Sequence, residues 1–387
     1  MIHPQPDQKR IVFLFSDTGG GHRSAAEAII EALQLEFPGK TNCEMVDVFR
    51  HYTPMPLKFA PEVYPPLSRF PEVWGLGYHM SDGLRRTRFF YRTIWPYVRR
   101  SMNRFVNDHP ADLIVSVHPL ISAPVLRAMG DRKIPFVIVV TDMVSTHAAW
   151  YQDKADQIIV PTEAARARAH HYGIQPGKVE VVGLPVAERF CQPVGDKEAI
   201  KEKLGWPKDQ PVVLVVGGGD GMGPLEEVSR AINDRKLPAA LVVVTGRNRK
   251  LKISLESYKW DLPVYVYGFV REMPEFMRAS DILVTKAGPG TISEAFIAGL
   301  PVILYSRMPG QEDGNVDFVL KEGAGVWAPY PDQAAEAVRL WLEYPEERER
   351  ARENCRRLAR PQAARQIARL LAARIQLFPA GNMQKKL

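Results

Sequence analysis

Two successive sets of short β-rich apolar runs, separated by longer amphipathic stretches, leave this chain little choice of architecture. The first set covers residues 11–16, 44–49, 112–118, 134–141, 156–160 and 178–183. The second covers 211–217, 239–245, 263–268, 281–285, 301–306 and 324–328, and helical patterns such as 24–37, 226–235 and 291–298 lie between the runs. Continuous Val/Ile/Leu runs alternating with helices predict parallel sheets covered on both faces. Each set opens with a strand running into a glycine-rich turn, so the chain reads as two Rossmann-like α/β domains in series. The predicted division is 1–195, 196–360 and a C-terminal helix and tail over 361–387, with the joint in the polar stretch 191–205. The Arg-rich segment 345–374, broken at Pro361, reads as surface helix too charged for a core.

A chain of 387 residues is long enough for each domain to bury its own core. Its 45% hydrophobic and 25% charged residues exclude a disordered or fibrous class. Cys43, Cys191 and Cys355 are far apart and lack a His cluster, which argues against a disulfide framework or structural zinc and fits a reducing cytoplasm. No apolar run approaches the roughly 20 residues of a spanning helix. The opening MIHPQPDQKR reads as a polar leader, neither signal nor transit peptide, which predicts a bacterial-type, cytoplasmic protein. A net charge of +7 predicts attraction to something acidic: nucleic acid, nucleotide or an anionic membrane surface.

Three glycine-rich turns fall at strand-to-helix junctions, the edge where open parallel sheets bind ligands. The first is Ser16-Asp17-Thr18-Gly19-Gly20-Gly21-His22-Arg23 and the second Gly217-Gly218-Gly219-Asp220-Gly221-Met222-Gly223. The third is Thr285-Lys286-Ala287-Gly288-Pro289-Gly290-Thr291, with Glu294 one turn into the helix. Glycine lets a backbone approach a ligand, and the amides of a helix start favour negative charge. No GxGxxG fingerprint or Walker lysine accompanies the first turn, so NAD and P-loop readings are weak. One such turn can be tight-turn geometry alone; three at equivalent junctions point to phosphate and sugar binding. His22 stands in the first of them at a helix start, where the positive helix end favours the neutral imidazole that a general base requires.

The segments SDTGGGHRSAAEAI, SVHP (116–119), TDMVSTHAAW (141–150), and KAGPGTISEA followed by PGQEDGN resemble the monogalactosyldiacylglycerol synthase and processive diacylglycerol glucosyltransferase family. That family is a branch of glycosyltransferase family 28 with the GT-B fold. The likeness runs from about residue 11 to 328, and the GGGHR run favours this branch over the peptidoglycan one. It implies two domains facing across a cleft. UDP-glucose or UDP-galactose would be the donor and the hydroxyl of diacylglycerol the acceptor, with no cofactor and no metal. The second domain would hold the donor: Phe269 and Val270 at the uracil, and Glu294 at the ribose. Lys286, Gly288, Gly290 and Thr291 would lie at the diphosphate, with Gly217, Gly218 and Gly219 closing on it. Gln311 and Glu312 would read the sugar hydroxyls, beside Asn315. In the first domain the resemblance makes His22 the catalytic base, in a turn with Gly20 and Gly21, with Asp142 in the catalytic set and His118 on a nearby strand end. Glu294, Gln311 and Glu312 could also be ordinary solvated residues. Three other readings stay open: a related transferase with another lipid-linked acceptor (such as the peptidoglycan N-acetylglucosaminyltransferase), a UDP-sugar epimerase of the same architecture, and a UDP-sugar-binding regulator.

Residues 84–107 carry Arg85, Arg86, Arg88, Arg92, Arg99, Arg100 and Arg104, no acidic residue, and interleaved Phe89, Phe90, Tyr91, Trp95, Tyr97 and Phe105. Cations over anionic headgroups with rings at the interface form a membrane-surface pattern, with about 1 kcal/mol per arginine. No RNA-binding or helix-turn-helix signature accompanies it, which argues against nucleic acid. An ordinary solvated helix with its aromatics in the core is the plain alternative. The proline- and aromatic-rich stretch 53–76 reads as a long loop of the acceptor site and membrane contact. The expected location is peripheral, at the inner face of the cell membrane.

Overall fold

The structure, a computed structural model, describes residues 8–17, 20–59, 62, 70–193 and 195–377. Residues 1–7 of the polar leader, Thr18 and Gly19 of the first glycine turn, and Pro61, Tyr64, Pro65 and Pro66 of the 53–76 stretch lie outside the described residues. All twelve expected strands are present. The first six are β1 (Lys9–Phe15), β2 (Thr41–Asp47), β3 (Leu113–Ser116), β4 (Phe136–Val139), β5 (Gln157–Val160) and β6 (Val179–Val181). They form one parallel sheet in the order β2-β1-β3-β4-β5-β6. Its side chains alternate between two cores. Val12, Leu14, Ile114 and Ile138 enter one, and Ile11, Phe13, Val115 and Val137 the other. Burial on both faces is why these strands read as unbroken apolar runs.

The second sheet comprises β7 (Val212–Val216), β8 (Ala240–Val244), β9 (Val264–Tyr267), β10 (Ile282–Lys286), β11 (Val302–Ser306) and β12 (Gly325–Trp327). Its order is β12-β11-β10-β7-β8-β9, again all parallel. One unit of the chain takes the residues up to Glu188, Pro309–Gln311 and those from Gln362 onward. The other takes Arg189–Met308 and Glu312–Pro361.

Two sequence expectations need correction. The charged segment near the C-terminus is not simply surface helix. After a break around Pro361, the Ala363–Arg374 helix buries Ala363, Ala364, Ile367, Ala368, Leu371 and Ala372 against the Gly21–Glu36 helix in the first unit's core. The arginines flank this stripe, where Arg365 and Arg369 pair with Glu36 at 3.0 and 2.8 Å and Arg365 with Glu188 at 2.6 Å. An apolar face at helical spacing thus lies among residues whose average is polar. The 53–76 stretch, for its part, is not loop throughout. A helix spans Pro71–Ser81, started by proline at its first position. Leu84–Asp108 is a single 25-residue helix. It divides its aromatics: Phe105 is in the core, whereas Phe89, Phe90 and Tyr97 are exposed. Among the described residues no helix is long and apolar enough to cross a membrane.

Candidate active site

In an open parallel sheet, loops at the carboxyl ends diverge where the strand order reverses and leave a ligand crevice. In the first sheet this happens between β1 and β3. Gly20, at φ 65°, makes the left-handed step into the Gly21–Glu36 helix, and a Cβ added at Gly20 or Gly21 would meet nothing within 4 Å. That step puts His22 in the first helical turn. Its ring centroid lies 4.5 Å from that of His118, which follows β3, and 6.1 Å from that of Trp150. Thr141 Oγ1, two residues beyond β4, is 2.9 Å from His22 Nδ1. His118 is buried, and its Nδ1 accepts the Leu120 amide at 3.3 Å.

Burial pushes the pKa of His22 down to about 4, against the opposing pull of a hydrogen bond to the Val117 backbone. Burial therefore keeps this imidazole neutral. His118 is lowered too, by burial and then by His22. A stability prediction follows. An unfolded imidazole takes up its proton below about pH 6.5, whereas folded His22 stays neutral down to about pH 4. The unfolded state binds more protons in that window, so stability is lost as pH falls through it. For His22 alone the loss by pH 5 is about 2 kcal/mol. Urea titrations at pH 8 and pH 5 should show a smaller pH-dependent loss for His22→Gln than for the wild type; equal losses would contradict this.

Asp142 is buried and has both oxygens engaged. Oδ2 accepts Trp150 Nε1 at 2.6 Å and Oδ1 accepts Gln311 Nε2 at 3.0 Å. It fixes the indole beside His22. The Gln311 carbonyl oxygen is buried without a hydrogen-bond partner.

In the second sheet the order reverses between β7 and β10, and the second and third glycine turns leave from these two strands. Gly217 is required by the turn itself, since a Cβ there would lie 2.8 Å from the Gly221 backbone. Lys286 ends β10. A Cβ at Gly218 would be 3.4 Å from its Cε, and one at Gly288 would be 2.9 Å from its Nζ, so these glycines leave room for the ammonium. Lys286 Nζ is 2.6 Å from Glu312 Oε1, and Glu312 Oε2 accepts the Met308 amide at 2.8 Å. Gly288 caps the Pro289–Ala298 helix with no side-chain hydrogen bond. Helix-start amides left uncapped in this way are suited to an anion. Thr291 and Glu294 lie on the same helix, as does Gly290, where an added Cβ would meet nothing. Burial raises the Glu294 carboxyl to about 7, against the pull of Arg189. Such a group gains from hydroxyl donors. Asn315 donates to the Ala287 carbonyl at 2.9 Å, while its own carbonyl oxygen is buried and unpartnered. Phe269 is 61% exposed beside half-buried Val270.

The structure does not bring the Gln311 and Glu312 side chains together. The carboxamide turns to Asp142 in the first unit and the carboxylate to Lys286 in the second. Sequence reasoning gave Thr141 and Trp150 no role, although both lie in the TDMVSTHAAW motif, and it missed Arg189 and Arg247 altogether. For Arg247 the available signal was its place three residues beyond a strand, at a sheet's carboxyl edge.

Solved structures of the same fold include MurG of Acinetobacter baumannii, with a TM-score of 0.59 at 15% identity, covering 94% of this chain and 99% of that one. A putative UDP-N-acetylglucosamine 2-epimerase of Listeria monocytogenes has a TM-score of 0.62 at 15% identity, covering 96% of each chain. Identities this low establish the fold alone. A family profile described as glycosyl transferases group 1 matches residues 196–358. With its two doubly wound sheets, the protein is a glycosyltransferase of the GT-B fold.

A second profile, described as monogalactosyldiacylglycerol (MGDG) synthase, matches residues 22–186. The probable monogalactosyldiacylglycerol synthase 2 of Oryza sativa subsp. japonica is 36% identical over 373 residues, 93% of this chain and 80% of the relative. Monogalactosyldiacylglycerol synthase 2 of Arabidopsis thaliana is 35% identical with the same coverage. The chain belongs to the monogalactosyldiacylglycerol synthase family.

Proposed function

We propose that the protein transfers galactose from UDP-galactose to the free hydroxyl of diacylglycerol, with inversion at the anomeric carbon. The observation that carries this reading is the 36% identity to a probable monogalactosyldiacylglycerol synthase across 93% of the chain. The site chemistry agrees with it. His22 takes the proton from the acceptor hydroxyl, whose oxygen bonds to the anomeric carbon as the bond to the departing diphosphate breaks. Asp142, through Trp150, holds the surroundings of that base. Lys286 and the amides starting the Pro289–Ala298 helix meet the charge that builds on UDP. Glu294 accepts the ribose hydroxyls, and Phe269 and Val270 border the uracil. Gly217, Gly218, Gly219, Gly288, Gly290 and Thr291 let the backbone close on the diphosphate, with Gly20 and Gly21 leaving space before His22. Glu312, which holds Lys286, and Asn315 complete the donor set of the second unit. These groups supply the proton transfer and charge stabilisation, so the scheme calls for no further cofactor. The test is transfer with differently labelled UDP-galactose and UDP-glucose in one reaction, then NMR of the anomeric proton in the product. Galactose in the β configuration is the expected product; glucose, or an α-linked sugar, would overturn the donor or the stereochemistry.

The acceptor resides in a bilayer, and the protein reaches it as a peripheral protein at an anionic membrane surface, the inner face of the cell membrane. Phe70, Val73, Leu76 and Met80 are exposed on and just before the Pro71–Ser81 helix, and Phe89, Phe90 and Tyr97 on the arginine-rich helix that follows. Leu76→Asp with Met80→Asp should cut co-sedimentation with anionic vesicles by about tenfold or more, since each buried apolar side chain contributes roughly 1.5–3 kcal/mol. UDP affinity should be unchanged. Undiminished sedimentation would remove this face from the membrane contact.

A further inference from the structure

The scheme above leaves one cation beside the second glycine turn without a task. Arg247 stands three residues beyond the end of β8, and its backbone amide donates to the Gly219 carbonyl at 2.9 Å. Gly246, at φ 59°, lets the two turns meet: a Cβ there would lie 2.3 Å from the Gly219 oxygen. Backbone contacts therefore fix where the Arg247 side chain starts. Its guanidinium lies over the Phe269 ring, 5.2 Å from the centroid, and Nη1 would be 3.4 Å from a Cβ at Gly219. Lys286 flanks the same turn through Gly218, with its Cε 3.4 Å from the equivalent point. Two cations thus border Gly218-Gly219, and each meets a carboxylate: Glu312 on Lys286, and Asp220 on Arg247 at 3.1 Å.

The second pair differs in kind from the first. Arg247 and Asp220 are 60% and 40% exposed, and ion pairs this open contribute little to stability. A planar guanidinium already held over a ring is, however, well prepared for phosphate oxygens. We infer that Arg247 is a phosphate ligand for the nucleoside diphosphate, and that Asp220 is an internal competitor holding it until the diphosphate arrives. This rests on the donor reading above. A mere surface ion pair predicts that neither residue matters. An internal competitor predicts opposite signs.

Calorimetric titration of the full chain with UDP, and with uridine as the phosphate-free probe, separates these cases. Arg247→Ala should weaken UDP by about 10–100-fold, the worth of a charge-assisted hydrogen bond, and leave uridine unchanged. Asp220→Asn should tighten UDP by about two- to fivefold as the competing pair is lost. Arg247→Lys, which keeps the charge without the fork, should fall between Arg247→Ala and the wild type. If the wild type does not bind UDP, the donor reading itself fails. If it binds UDP but neither substitution changes the affinity, or Asp220→Asn weakens it as Arg247→Ala does, the inference is overturned. An equal loss for uridine would place Arg247 on the base and overturn it as well.

Discussion

Replacing His22 with alanine should lower kcat by about 10²–10⁴-fold, the usual worth of a general base, with the dissociation constant for UDP within about twofold of the wild type. The split between the two effects matters because His22 belongs to the first sheet's switch point and the proposed UDP ligands to the second's. Loss of a base removes transition-state stabilisation and leaves nucleotide binding in place. The same residue sets a pH signature. With a pKa near 4 in the free enzyme, His22 should impose no loss of kcat/KM around pH 6.5, and its acid limb should appear near 4. His22→Ala with near-wild-type turnover would remove the base assignment.

Lys286→Met should have the second largest effect, on stability and donor affinity together. Glu312 has only 6% of its side chain exposed and Lys286 only 19%, so removing the ammonium strands a buried carboxylate. Breaking such a pair costs about 3–5 kcal/mol. Adding Glu312→Gln removes the stranded charge while keeping an acceptor for the Met308 amide, so the double variant should regain most of the lost stability. It should not regain UDP affinity, because the cation beside Gly218 and Gly288 is still missing. Urea unfolding and UDP titration of both variants check this. Wild-type UDP affinity in the double variant would reduce Lys286 to a structural role.

The strands were legible in the sequence because burial on both faces leaves no polar alternation, as in Ile11 to Phe15 and Val212 to Val216. Their spatial order was not, since nothing local in β10 says that it lies beside β7. Yet that order places His22 next to the loop after β3, and the second glycine turn next to the third. The Ala363–Arg374 helix was misjudged because its small buried residues lie among arginines whose charge is met by Glu36 and Glu188, residues remote in sequence. Gln311 and Glu312 looked like one functional pair because adjacency hides direction; their side chains leave the backbone toward different units. Arg247 escaped notice because its partners, Gly219 and Phe269, come from other loops of the same sheet edge.

The most direct test of the proposed reaction is to offer the purified chain radiolabelled UDP-galactose with vesicles of diacylglycerol in anionic phospholipid, and to count the lipid phase. Label entering that phase as a monogalactosyl lipid, and not entering it when diacylglycerol is omitted, is the predicted result. Label that stays in the water phase as UDP-galactose or as another sugar nucleotide, despite measurable UDP binding, would contradict it.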